Sequence, residues 1–205
     1  MRKSAIVATL LLSLLSWSLP VAAAPKPHVV PKKTTKTRVR ERTEALLPRM
    51  TVSADGVVLP DLRAAAAIVY DPVTEEVLYE SHAEEPRPIA SITKVMTASV
   101  FLETDPDLTE VVTVKAADTN RASHTYLRAG DRVTVDDLMH LLLITSDNAA
   151  ARVLARVSTY GTTGFIDRMN EKASELGLDH TTYADSSGLL KANVSTALDM
   201  ARLIV

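Results

Sequence analysis

The run Leu138-Met139-His140-Leu141-Leu142-Leu143-Ile144 restricts the possible folds of this chain more than any other stretch. As a helix it is apolar on nearly every side, which predicts a buried helix with neighbours around it rather than an amphipathic surface helix. Thr134, with Asp137 three residues on, resembles a capping box at its start, although Asp replaces the usual Glu or Gln. Ser146-Asp147-Asn148 ends it in a polar turn.

The neighbours such a helix requires can be read on both sides. Pro86 and Pro88 punctuate the entrance to a helix from about Ala90 to Glu103, with Ile92, Val95, Met96, Ser99 and Val100 at helical spacing. Ala149 to Val157 and Phe165 to Leu176 read as further helices, the latter ended by Gly177. Another begins at Thr196 and runs to Val205. Upstream, Arg63 to Tyr70 and the alternating Glu76 to Glu80 flank an Asp71-Pro72-Val73-Thr74 turn, which predicts a β-hairpin. Val111 to Val114 is a short strand. One hairpin among many helices predicts the α+β class, and no internal repeat is visible.

With no cysteine there is neither a disulfide scaffold nor a thiolate metal site, so stability has to come from a packed core. Arg2 and Lys3, the apolar stretch from Ala5 to Leu19 and the small residues Val21 to Ala24 read as a secretory signal, residues 1–23, cleaved after Ala23. Residues 24–49 follow as a basic, proline-containing linker, and the main body, 50–205, is acidic. Between residues 25 and 49 eight Lys or Arg face two Glu, whereas residues 50–205 carry 13 basic and 23 acidic groups. The body's charge argues against nucleic acid as a partner. The basic segment reads either as a solvated spacer or as a contact to anionic cell-wall or membrane surfaces. These features predict an exported protein, periplasmic or cell-wall associated.

Ser91-Ile92-Thr93-Lys94 places a hydroxyl and an amine three residues apart on one helical face. A serine hydroxyl needs an adjacent base to act as a nucleophile, and a lysine serves as one when its pKa is lowered by burial. The first turn of a helix adds amides that favour developing negative charge. Ser146, 55 residues after Ser91, offers a second hydroxyl able to relay a proton to a leaving amine. Asn148 offers amide donors and an acceptor to a peptide-like substrate. His28, His82, His124, His140 and His180 show no metal-ligand spacing and read as structural or surface residues, with no metal or cofactor implied.

Arg87-Pro88-Ile89-Ala90-Ser91-Ile92-Thr93-Lys94-Val95-Met96-Thr97-Ala98 resembles the active-site helix of the low-molecular-mass penicillin-binding proteins, the D-alanyl-D-alanine carboxypeptidases and endopeptidases. Leu127 to Asp131 and then Leu138 to Ala150 resemble the second motif of that family and its preceding helix. Met169 to Ala173, Leu176-Gly177-Leu178, Ser187-Gly188-Leu189 and Ser195-Thr196-Ala197 extend the likeness over residues 62 to 205. The resemblance implies a β-lactamase or penicillin-binding transpeptidase-like fold. Ser91 would be the acylated nucleophile, Lys94 its proton acceptor, and Ser146 and Asn148 the second-motif pair. It also implies peptidoglycan stem peptides as substrate and β-lactams as inhibitors.

The family's third element, a Lys-Thr-Gly type of triplet on a sheet strand, does not occur in the 205 residues. The expectation is therefore a C-terminally truncated domain over 50–205, the helical part plus the first β-hairpin of an antiparallel sheet whose remaining strands are missing, and not an efficient enzyme alone. Two other readings remain open. A class A-type β-lactamase would need a deacylating glutamate, of which Glu175-Leu176-Gly177-Leu178-Asp179 is a weak echo, better explained as the end of a helix. A non-catalytic exported wall-binding protein would leave Ser91 without a role.

Overall fold

The computed structural model describes residues 49–205. The expectations for the signal segment, for His28 and for all of the linker but Arg49 lie outside the described residues. Those described fall into two units, divided after Asp61.

The first unit contains an antiparallel hairpin that the sequence reading did not anticipate. β1 (Met50–Val52) pairs with β2 (Val58–Pro60) across a turn holding Gly56 at φ 80°. Arg49 and Asp61 close its open end with an ion pair.

The second unit begins with the predicted hairpin, β3 (Ala67–Tyr70) against β4 (Val77–Ser81), antiparallel with a register shift between Val69 and Tyr70. The Asp71 carboxylate accepts from the Val73 and Thr74 amides, which shapes its turn. β5 (Arg87–Pro88) leads into a 3-10 turn, Ala90–Ile92, and then α1 (Thr93–Leu102). β6 (Val111–Thr113) follows, close to the predicted strand, and pairs with β7 (Arg132–Thr134) around the short α2 (Ala116–Thr119). α3 (Val135–Ile144), α4 (Asn148–Val157) and α5 (Gly161–Glu175) complete the helical cluster. β8 (Val194–Ser195) returns to pair antiparallel with β5, and α6 (Ala197–Ile204) packs on β3. The class is α+β, with four two-stranded sheets among the described residues.

Two sequence expectations are corrected by the packing. α3 is not buried on all sides. Val135, Leu138, Met139 and Leu142 face the core, while His140, Leu143 and Ile144 face outward, the last two 56% and 75% exposed. The helix at the centre is α4, which touches α1, α2, α3 and α5. Its Ala149, Ala150, Ala151 and Ala155 are fully buried, and their small side chains let neighbouring helices approach closely. Apolar content alone pointed to the wrong helix because alanine ranks low as a hydrophobe yet is suited to close contact. The other correction concerns the helix expected from Ala90. Its first three residues form the 3-10 turn, and Ile92 and Val95 are exposed, because Lys94 and Thr97 occupy the inward face instead.

Capping follows the sequence more closely. The Thr134 hydroxyl accepts from the Asp137 amide at 3.1 Å, but the Asp137 carboxylate takes the Thr134 hydroxyl proton at 2.7 Å rather than a backbone amide. α5 ends at Gly177, φ 66°, where Leu178 N–H reaches back to the Ala173 carbonyl at 2.9 Å.

Candidate active site

Ser91 lies in the 3-10 turn, one turn before Lys94 on α1. Three acceptors surround the Lys94 ammonium: Ser91 Oγ at 3.0 Å, Asn148 Oδ1 at 2.7 Å and the Ser187 carbonyl at 2.7 Å. Lys94 is only 3% exposed, so these contacts replace nearly all of its hydration. Burial pushes its pKa below the ordinary lysine value, and the nearby charges of Asp185 and Asp147 oppose that shift without reversing it. Three donors meeting three acceptors describes the ammonium. On losing one proton, the amine keeps two N–H groups for Asn148 and Ser187 and turns a lone pair toward Ser91. The same cage thus fits both states that a proton acceptor must pass through.

Asn148 is the first residue of α4, and Asp147 is its N-cap. Asp147 Oδ1 accepts from the Ala149 and Ala150 amides, while Oδ2 accepts from the Tyr126 amide at 2.6 Å. One buried carboxylate therefore fastens the helix and the preceding loop together. The Asn148 side chain donates to the Ala122 carbonyl at 2.7 Å and, more weakly, to Ser123 Oγ at 3.4 Å. With both ends of its amide engaged, Asn148 holds Lys94 in place in this structure. Ser146 is half-buried in the left-handed region at φ 58°, and it is not among the partners of Lys94. Ala90 (φ 46°) and Ser123 (φ 54°) adopt the same backbone region beside the site. Each such residue costs on the order of 1–3 kcal/mol and persists only where surrounding contacts fix it.

The sequence reading assigned no role to the loop from Asp185 to Asn193, yet it forms one wall of the site. Ser186 O accepts from Thr97 Oγ1 at 2.7 Å, one helical turn beyond Lys94, and Asn193 O accepts from Ile89 N at 3.1 Å. Gly188, at φ 83°, lies so close to the turn that a Cβ there would fall 1.9 Å from the Ala90 carbonyl oxygen. The string Asp185-Ser186-Ser187-Gly188 carried a local signal, because Asp and Ser before Gly favour side-chain-capped turns. Its pairing with Lys94 on α1, 93 residues earlier, carried none.

Glu175, the sequence's echo of a deacylating carboxylate, is held elsewhere. Both its oxygens accept from Arg168, which also binds Glu103 at the end of α1. His82 pairs with Glu85, His140 approaches Asp136, and His124 donates to the Thr145 carbonyl at 3.0 Å. Among the described residues no three His, Asp or Glu side chains gather as a metal site would require.

The chain is 39% identical over 147 residues to a D-alanyl-D-alanine endopeptidase of Pseudomonas aeruginosa, covering 71% of this chain and 47% of that protein. It is 35% identical over 157 residues to the D-alanyl-D-alanine endopeptidase of Escherichia coli K12, covering 76% and 51%. The chain thus spans about half the length of the curated relatives it matches. Among solved structures it resembles the Streptomyces K15 DD-transpeptidase, with a TM-score of 0.66, 31% identity and coverage of 72% and 61%. A D-alanyl-D-alanine carboxypeptidase from Mycobacterium tuberculosis gives a TM-score of 0.66, 32% identity and coverage of 75% and 59%. The fold is therefore that of the penicillin-binding D,D-peptidases, present in part. Residues 50–205 match the Peptidase_S11 model, D-alanyl-D-alanine carboxypeptidase, and on that match the chain belongs to the S11 peptidase family.

Proposed function

We propose that this chain carries the nucleophile and base of a serine-type D-alanyl-D-alanine carboxypeptidase or endopeptidase acting on peptidoglycan peptides outside the cytoplasm. The observation that carries this reading is Lys94 Nζ at 3.0 Å from Ser91 Oγ, with Asn148 and Ser187 fixing the nitrogen from behind.

In the proposed reaction neutral Lys94 takes the Ser91 hydroxyl proton as Oγ bonds to the carbonyl carbon of the D-alanyl residue at the scissile bond. The C–N bond then breaks as Lys94 gives up that proton, relayed by Ser146, to the leaving amine, which leaves Lys94 neutral again. Water attacks the resulting ester, its proton returns through Lys94, and Ser91 regains its hydroxyl as the carboxylate product leaves. A β-lactam would enter by the same attack on its strained amide. Its leaving amine stays tethered to the acyl group, so a long-lived adduct is expected.

The test is to incubate the purified chain with a fluorescent penicillin and locate the adduct by peptide mass spectrometry. A covalent mass on Ser91, absent from Ser91→Ala, is the expected result. No adduct on a chain that circular dichroism shows to be folded overturns the proposal. Release of D-alanine from a D-alanyl-D-alanine peptide tests turnover separately.

A further inference from the structure

The Asp185 carboxylate organises the loop that closes over Lys94. Oδ1 accepts from the amides of Ser187 at 2.8 Å and Gly188 at 2.5 Å, and from the Asn193 side chain at 3.2 Å. Oδ2 accepts from the Leu190 amide at 2.8 Å. The Ser187 hydroxyl adds a weaker bond at 3.3 Å. This one side chain gathers the amides that flank the Ser187 carbonyl, the third acceptor of Lys94. It also sets Gly188 against the backbone of Ala90 and Ser91. Among the described residues no other carboxylate accepts from these amides; Asp147 acts at the start of α4.

We infer that Asp185 is a positioning residue of the site: it holds the Ser187 carbonyl on Lys94 and supplies a negative charge beside the ammonium. Lys94 would then be oriented by two acidic side chains that do not touch it, Asp147 through α4 and Asn148, and Asp185 through the loop. On the remaining side the group facing it is the uncharged Ser91 hydroxyl. The opposing pull of both aspartates on the Lys94 titration is in keeping with this placement. The inference rests on the proposed role of Lys94 as base, and its test is chosen so that the two can fail separately.

The experiment titrates Lys94 directly, by NMR of the full chain with carbon-13 lysine, the resonance assigned by its loss in Lys94→Arg. Asp185→Asn nearly preserves shape and keeps one acceptor for Ser187 and Gly188, but removes the charge. Lys94 is expected to titrate at lower pH in this variant, by on the order of half a unit or more. Asp185→Glu, which restores the charge, should recover most of the shift. Asp199→Asn is the structural control. It alters a buried carboxylate that binds the His180 amide and the Thr181 hydroxyl, and it should leave the Lys94 titration in place. Fluorescent-penicillin acylation is followed alongside, and its acid limb should move with the NMR titration. An unchanged Lys94 titration in Asp185→Asn, or an equal shift in Asp199→Asn, overturns the inference. Failure of the wild-type chain to acylate overturns the catalytic reading of Lys94, while the NMR shift still decides the role of Asp185.

Discussion

Lys94 is buried, and burial disfavours its charged form, so its pKa in the folded chain lies below the unfolded value. Folding therefore releases a proton in the interval between those two pKa values. The penalty is present in full below the folded value and is relieved as pH rises through the interval, so this residue contributes a stability that increases with pH there. In the proposed mechanism the same ionisation creates the base. Acylation of Ser91 should accelerate as pH rises through the Lys94 titration, which stopped-flow or gel-based acylation rates across pH will report. Gly188 shows a second constraint at this scale. A methyl group there would meet the Ala90 carbonyl on a backbone already at positive φ, so Gly188→Ala should cost at least about 2 kcal/mol and slow acylation sharply. Denaturant titration checks the first effect and penicillin labelling the second. Ser91 and Lys94 were legible in the sequence because a single helical turn fixes their relation. Asp185 was not, because its effect depends on a loop folding back over residues nearly a hundred positions earlier.

At the level of elements, the sequence marked where helices start and stop better than what they face. Thr134, Gly177 and Thr196 act locally, on amides within a turn of themselves, and each ends or begins a helix as read. The burial of α3 is different, since it depends on which neighbours arrive. Its sequence is apolar around the circumference, yet only one stripe meets the core, leaving Leu143 and Ile144 in solvent. Ile144→Lys is therefore expected to change stability by no more than about 0.5 kcal/mol, as for other exposed positions. A loss of several kcal/mol in denaturant melts would restore the reading of a fully buried helix. β5 and β8 are two residues each, too short for any periodic signal, and only their pairing across more than a hundred residues makes them strands.

Across the whole of residues 62–205, long-range ion pairs join parts that the hydrophobic pattern does not. Arg156 on α4 grips both oxygens of the buried Asp118 on α2 and reaches the Thr113 carbonyl of β6. Asp118→Ala would leave that guanidinium without its carboxylate, and a destabilisation of about 3 kcal/mol is expected. Thermal and chemical unfolding of the variant measure it. Such partners are invisible in one sequence, because arginines and aspartates are numerous and nothing local selects the pair. The α+β class and the helical cluster were legible because they follow from composition and period.

The third group on Lys94 is a peptide carbonyl rather than a side chain, and this has a consequence for how the protein can vary. A point mutation replaces side chains but cannot delete the Ser187 oxygen. Apart from changes to Lys94 itself, random mutagenesis can therefore weaken this contact only indirectly, through residues that shape the loop, such as Asp185 and Gly188. A library selected for loss of penicillin labelling should accordingly be enriched at those flanking positions.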